Sequence, residues 1–164
     1  MNPGSALNPR PAAETPPFPA SIPSAAEKMV ERLHACVRYQ NARPWQKSLL
    51  DWRRFLRNQS EKYGLSSHIP GGTRTVSTFH MNDFTVVEGE LVSQIIASYG
   101  AYEPELTEAF LHIVKTGQVV LDIGMHLGYY ATLFAVLVGG EGKVHAFESN
   151  ERCGEFNYAL PCKG

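Results

Sequence analysis

The stretch at 119–134, VVLDIGMHLGYYATLF, limits the folds open to this chain more than any other. It begins with the run Val119 to Ile123, which is apolar except for Asp122, and then reaches two glycines, Gly124 and Gly128. A short apolar run of this kind is typical of a strand that is covered on both faces in a parallel sheet. The glycines indicate a sharp turn directly after the strand.

A helix and a second strand complete the pattern. Residues from about 129 to 137 predict a helix, glycines at 139, 140 and 142 turn the chain, and KVHAFE at 143–148 predicts a strand that ends in Glu148. Two parallel strands joined through a helix form a βαβ unit, and such units bind ligands at the carboxyl ends of their strands. The sequence therefore predicts an α/β fold with a ligand crevice beside Gly124.

The residues at this crevice favour one kind of ligand. A glycine lets the backbone approach a cofactor closely, and Glu148, 24 residues after Gly124, carries two oxygens that can accept both hydroxyls of a ribose. A dinucleotide site needs GxGxxG, but His126 stands where the second glycine would admit a pyrophosphate, and a P-loop needs a GK[ST] that is absent. S-adenosylmethionine has a ribose and no phosphate, so the pattern favours S-adenosylmethionine.

Residues 118–150 resemble the first motif and second strand of the FkbM-type S-adenosylmethionine-dependent methyltransferases. DxGxxxGYY, a GG turn and FExN occur in that order, GAYEPE at 100–105 is similar to a segment that precedes the first core helix of the family, and the resemblance covers about 85–160. It implies an incomplete Rossmann-like class I methyltransferase core that transfers a methyl group to a hydroxyl of a sugar or small molecule. The family usually has a small residue and Asn at Met125 and His126, and Pro at Ser149.

The resemblance also implies roles for individual residues. It assigns cofactor binding to six residues: Asp122, Gly124, Gly128, Glu148, Tyr102 and Glu103. We also expect His126, which lies in the same turn, to contact the cofactor, although the family has another residue there. Other roles stay open, because both glycines can be plain turn residues, Asp122 can cap a backbone turn, and His126 is either a base or a local hydrogen-bonding residue. Of Tyr129 and Tyr130, we expect one to pack and the other to touch the ligand. No catalytic residue is assigned.

Three regions precede or contain this core. Residues 1–23 hold seven prolines among small residues and predict a disordered tail, 24–72 predict a helical lead segment, and 73–164 predict the N-terminal part of a Rossmann-like methyltransferase domain. In the lead, Ser24 and Glu27 indicate a helix start, with a helix over about 25–39. A second helix is predicted from Pro44 to Gly64.

The second lead helix carries an apolar stripe that we interpret as a packing surface, because its spacing is that of a buried helix face. The stripe consists of Trp45, Leu49, Trp52, Phe55 and Leu56. After the HIPGG loop at 68–72, a hairpin is predicted from strands at 75–79 and 84–87, and helices follow from about 91 to Gly100 and from Pro104 to Gly117. A further element is expected to start at Ser149 or Asn150.

Composition excludes several functional classes. Three cysteines, Cys36, Cys153 and Cys162, show no CxxC spacing, so neither disulfides nor zinc are indicated, and no metal is expected. No signal peptide and no run of about 18 apolar residues is present, so we expect a cytoplasmic chain without a membrane partner.

Charge is uneven along the chain: residues 28–62 carry nine bases and three acids, whereas 81–164 carry four bases and eleven acids. We interpret the basic region as a solvated helix face.

Only two core strands precede Gly164, which predicts a truncated copy, a fragment or one half of a split enzyme that needs a complementing chain and is inactive alone. One alternative function is a non-catalytic interaction module, in which the basic helices at 25–62 dock a partner or, less favourably, nucleic acid. Another is a nucleotide-dependent oxidoreductase, against which the position of His126 argues.

Overall fold

The computed structural model describes residues 25–63 and 71–150. Within them the chain forms six helices and four strands. In chain order these are α1 (Ala25–Asn41), α2 (Pro44–Leu50), α3 (Trp52–Lys62), β1 (Thr73–Val76), β2 (Phe84–Val87), α4 (Leu91–Tyr99), α5 (Pro104–Ile113), β3 (Val119–Ile123), α6 (Tyr129–Val138) and β4 (Lys143–Phe147). The predicted tail, Ser24, most of the HIPGG loop and the element after Asn150 lie outside the described residues.

The elements form a mixed α/β structure with two small sheets. β1 and β2 pair antiparallel, and β3 and β4 pair parallel, with Val119 opposite Lys143 and Ile123 opposite Phe147. The parallel pair is joined through α6, so the predicted βαβ unit is confirmed. None of the helices in the described ranges has the length and apolar character to cross a bilayer.

One hydrophobic core joins the lead helix α1 to the rest of the chain. Its fully buried members come from α1, the hairpin, α4, the turn after β3 and α6, and they include Leu33, Phe84, Val86, Ile96, Leu127 and Leu133. α1 packs against both α4 and α5. The lead segment therefore contributes to the same core as the βαβ unit.

The second lead helix is divided in two, so the prediction of one helix from Pro44 to Gly64 is wrong. Asp51 adopts φ −155° and ψ 88°, and its carboxylate accepts a hydrogen bond from the N–H of Arg54 at 2.9 Å. An aspartate favours this capping geometry over the interior of a helix, so the chain ends α2 and begins α3 at this residue.

The apolar stripe of these helices is not buried, so its interpretation as a packing surface is wrong. Its large apolar side chains, other than the half-buried Phe55, are all more than half exposed: Trp45, Leu49, Trp52 and Leu56. The contacts with α4 are made instead by polar side chains. Arg57 and Asn58 donate to the carbonyls of Ala97 and Ser98 at 3.0 and 3.1 Å.

The parallel sheet is covered on one face only, which corrects the prediction that β3 is covered on both faces. Val120 and Val144 pack against the core, whereas Ile123 is 78% exposed, and Val119, Leu121 and Phe147 are more than half exposed. Among the described elements, α6 packs against both strands of this sheet. Side chains alternate between the two faces of a strand, so every second residue is left uncovered.

Smaller differences concern element ends. The first strand of the hairpin lies at Thr73–Val76 instead of 75–79, and the helix after Pro104 ends at Ile113 instead of Gly117. The helix from Leu91 ends as predicted near Gly100, which takes the left-handed conformation, φ +76°. The helix predicted over 129–137 and the strand predicted over 143–148 are each within one residue of α6 and β4.

A buried histidine connects the hairpin to α6. His80 Nε2 lies 3.0 Å from Thr132 Oγ1, and Nδ1 lies 3.2 Å from Thr78 Oγ1. Both hydroxyls also bond the backbone, that of Thr132 donating to the carbonyl of Tyr129 and that of Thr78 to the carbonyl of Met81. Burial lowers the pKa of His80 to about 3, so the ring is neutral in the folded protein.

Candidate functional site

The carboxyl ends of β3 and β4 bring Gly124 and Glu148 together. The N–H groups of Gly124 and Met125 donate to the carbonyl of Phe147 at 2.8 and 3.1 Å, which holds the turn after β3 against the end of β4. Gly124 has φ +82°, and a Cβ at this position would meet no atom within 4 Å. The turn therefore needs a residue that tolerates positive φ, and it leaves open space beside the backbone.

Two backbone N–H groups fix the carboxylate of Glu148. His126 N–H donates to one oxygen and Asn150 N–H to the other, each at 2.8 Å. These bonds, that of Asn150 first, lower the pKa of the Glu148 carboxyl below its ordinary value, so the group is ionised at neutral pH. A carboxylate has about four acceptor positions; because Oε1 also accepts from the hydroxyl of Ser149 at 3.4 Å, the remaining capacity lies on Oε2.

Two strained residues line the same pocket. His126 and Glu103 are the non-glycine residues of positive φ in the described ranges, at 52° and 41°. Both line the pocket that Gly124 lines, although they are separated by 23 positions in the chain. Such conformations cost free energy, so they persist only where the surrounding structure stabilises them. They are most frequent at functional sites.

The side chain of His126 faces a carboxylate that sequence reasoning missed. Glu90 Oε1 lies 3.9 Å from His126 Nε2, and Glu90 caps α4 by accepting from the N–H groups of Val92 and Ser93. Burial acts to raise the pKa of Glu90, but these N–H groups and His126 together lower it. Glu90 lies 36 positions before His126, and no local pattern indicates the contact.

Aromatic residues form the opposite wall. Tyr129 is buried, and its hydroxyl accepts from the N–H of Tyr102 at 3.0 Å, whereas the half-buried Tyr130 donates to Glu103 Oε2 at 2.9 Å. Burial raises the pKa of Tyr129 to about 12 and also raises that of Tyr130, so both hydroxyls stay protonated. Tyr129 is the packing residue and Tyr130 the more accessible one. Tyr102 and Glu103 lie beside the turn.

Asp122 and Gly128 act on the start of α6. Gly128 is the residue before the helix, with φ +81°, and its N–H donates to Met125 at 2.8 Å. Burial and, less strongly, Glu148 raise the pKa of Asp122, while a hydrogen bond from the N–H of Ala131 lowers it. Its Oδ2 atom is buried without a hydrogen-bond partner. Asp122 therefore serves the first turn of the helix, and burial disfavours its ionised form.

The pocket encloses about 250 Å³. It is lined by Val92, Tyr102, Glu103, Gly124, Met125, His126, Leu127, Tyr129 and Tyr130. Ligand pockets usually enclose about 300 to 1,000 Å³, so this pocket is smaller than that range. The described ranges contain no group of three His, Cys, Asp or Glu side chains placed to bind a metal ion.

The residues present fit an adenosyl ligand in two respects. The backbone at Gly124 is open to close approach, and the oriented carboxylate of Glu148 retains acceptor capacity for a ribose. A dinucleotide site would instead need a glycine at the position of His126 to admit its pyrophosphate. No protein-family model, no curated protein and no solved structure matches this chain.

Proposed function

We propose that this chain binds S-adenosylmethionine at the turn after β3 and serves as the donor side of an FkbM-type methyltransferase. The acceptor is a hydroxyl of a sugar or other small molecule, as the resemblance of 118–150 implies. The ligand supplies an electrophilic methyl group on a sulfonium. The residues of the chain bind and orient that group, since transfer in line to an oxygen depends mainly on alignment.

The observation that carries the proposal is the carboxylate of Glu148, fixed at the end of β4 by two backbone N–H groups from opposite sides. His126 N–H holds it toward the glycine turn and Asn150 N–H holds it from the following loop. An acceptor fixed beside an open backbone matches a ribose, which offers two hydroxyl donors.

The strained residues support the same placement. The conformation of His126 aims its N–H at Glu148, and that of Glu103 starts α5 beside the pocket, where Tyr130 donates to its carboxylate. Each residue with such a φ costs about 1 to 3 kcal/mol, and the surrounding structure has to offset this cost at the pocket. The hydroxyl of Tyr130 and the carboxylates of Glu103 and Glu90 leave a polar wall that suits the amino-acid part of the ligand.

Titration calorimetry with four ligands tests this function. We expect S-adenosylmethionine and S-adenosylhomocysteine to bind. We expect NAD and ATP not to bind, because His126 replaces the glycine that admits a pyrophosphate and no GK[ST] follows the turn. Glu148→Gln keeps the shape of the side chain but removes its charge, and it should weaken binding by about tenfold or more. Glu141→Gln, an exposed acid in the turn before β4, is the matched control and should bind as the natural chain does.

Two results would contradict the proposal. One is equal affinity of the natural chain and Glu148→Gln for S-adenosylmethionine. The other is binding of NAD or ATP in place of S-adenosylmethionine, which would assign the turn to a phosphate-bearing nucleotide.

A further inference from the structure

The helices α2 and α3 present an apolar surface that the described fold does not bury. Five side chains, each more than half exposed, form what we call the amphipathic surface: Trp45, Leu49, Leu50, Trp52 and Leu56. Trp45 and Leu49 lie four positions apart on α2, and Trp52 and Leu56 lie four apart on α3, so each pair occupies one face of its helix. Leu50 lies at the junction between the two helices.

The same two helices carry an excess of positive charge. Residues 43–63 contain six bases and two acids. Both acids are engaged within the protein, since Asp51 pairs with Arg54 at 3.5 Å and Glu61 pairs with Arg74. Arg43, Arg53 and Lys62 are exposed.

Two other bases, both on α3, are turned inward and fix this helix to α4. Arg54 donates to the carbonyl of Tyr99 at 2.7 Å, and Arg57 donates to that of Ala97 at 3.0 Å. Other side chains of α3 stay exposed, namely Trp52, Arg53, Leu56 and Lys62. Arg53 lies over the ring of Trp52, 5.3 Å from its centroid, so positive charge and apolar surface are adjacent.

We propose that the amphipathic surface binds the surface of an anionic lipid bilayer. Helices that lie in the plane of a membrane combine Trp and Leu on one face with Lys and Arg at its borders. The bases match the negative headgroups, and tryptophan rings favour the boundary between headgroups and acyl chains. Such binding needs no spanning helix.

The leucines distinguish this partner from a single-stranded nucleic acid. Nucleic acid also attracts bases and stacks on Trp, but it offers nothing apolar of comparable size to Leu49, Leu50 and Leu56. Acyl chains bury such side chains favourably. The surface is separate from the pocket at Gly124, so this inference does not depend on the proposed methyltransferase activity.

Intrinsic fluorescence provides a direct test, because the two tryptophans of the chain, Trp45 and Trp52, both belong to this surface. The full chain is titrated with vesicles of phosphatidylcholine, with and without one fifth phosphatidylserine. We expect a blue shift and quenching by brominated lipid with the anionic vesicles only, and weakening of binding as salt is raised.

Two double variants separate the apolar and ionic contributions while keeping both tryptophans. Leu49→Ser with Leu56→Ser removes apolar contact, and Arg53→Gln with Lys62→Gln removes charge; each should weaken vesicle binding by about tenfold or more. Lys115→Gln with Lys143→Gln removes two exposed bases elsewhere and should leave binding unchanged. Circular dichroism establishes that each variant is folded.

Several results would overturn the proposal. These are an unchanged emission spectrum with anionic vesicles, equal binding to neutral vesicles, loss of binding in the Lys115 and Lys143 variant, or tighter binding to a single-stranded oligonucleotide. Self-association in sedimentation experiments that protects both tryptophans from a soluble quencher would assign the surface to a second copy of the chain.

Discussion

Replacing Gly142 with alanine should destabilise the βαβ unit strongly, because no space exists for a methyl group there. A Cβ at Gly142 would lie 2.3 Å from Val138 Cβ, 2.6 Å from Val138 Cγ2 and 2.8 Å from the carbonyl oxygen of Gln118. Carbon atoms in contact normally lie about 3.5 to 4.0 Å apart. None of the three atoms is the end of a flexible side chain, so either α6 or the start of β4 must move.

The same carbonyl joins β4 to the chain just before β3. Lys143 N–H donates to the Gln118 oxygen at 3.0 Å, so movement away from the new methyl group breaks this hydrogen bond. Overpacking costs about 1 to 3 kcal/mol, and the reduced freedom of the unfolded chain offsets about 0.4 to 1 kcal/mol. With the hydrogen bond included, we expect Gly142→Ala to lower the free energy of unfolding by about 2 to 3 kcal/mol.

Gly140→Ala is the matched control, since a Cβ at Gly140 meets no atom within 4 Å. It should change the free energy of unfolding by less than about 1 kcal/mol, toward greater stability if at all. Urea unfolding followed by far-ultraviolet circular dichroism measures both variants, with unchanged slopes required for the comparison. Equal midpoints for the two variants would refute the close packing of α6 against the start of β4.

Three further predictions concern buried polar groups. Because burial lowers the pKa of His80 to about 3, the unfolded chain takes up a proton below pH 6.5 that the folded chain does not. The contribution of His80 to stability therefore falls by about 1.4 kcal/mol per pH unit as pH drops from 6.5 toward 3. The urea midpoint of His80→Gln should fall less steeply over this pH range than that of the natural chain. Parallel pH profiles of the two midpoints would contradict this prediction. Asp122→Asn should raise stability at pH 7, because burial raises the pKa of Asp122 and its Oδ2 has no partner, and a lower urea midpoint would count against this reasoning. Tyr129→Phe should cost about 1 to 2 kcal/mol by leaving the N–H of Tyr102 without its acceptor, whereas Tyr130→Phe should cost less than about 0.5 kcal/mol; thermal unfolding of the pair decides, and equal losses would be inconsistent with the buried bond.

Local chemistry made most elements of the fold predictable. The run Val119 to Ile123, the glycines and KVHAF placed β3, α6 and β4 within a residue or two, because strand, turn and helix preferences agree there. The predicted second lead helix is interrupted at Asp51, although the helical spacing of apolar residues continues past this position. Spacing reports which residues can share a face, and it does not report that an aspartate will cap a new helix.

Burial was less predictable than secondary structure. The stripe from Trp45 to Leu56 has the spacing of a buried face, but α3 contacts α4 through Arg57 and Asn58. Ile123 lies on an apolar strand, but only one face of its sheet is covered among the described residues. Both outcomes depend on which elements pack together, and neither follows from the local sequence.

The candidate site was predictable where it follows from sheet topology and was missed where it depends on tertiary contacts. Parallel strands place their carboxyl ends at one edge, which brings Gly124 beside Glu148. The contact of Glu90 with His126 needs α4 to start next to the turn. No periodicity in the sequence reports that placement.

Amide chemical shifts test the central claim most directly. The claim is that the turn at Gly124 and the carboxylate of Glu148 form one corner that holds an adenosyl ligand. When S-adenosylhomocysteine is added to the ¹⁵N-labelled chain, the signals of Gly124, His126 and Asn150 should shift together and saturate. In Glu148→Gln the same shifts should need about tenfold or more ligand. Signals that stay in place at ligand excess, or shifts confined to residues away from this corner, would contradict the claim.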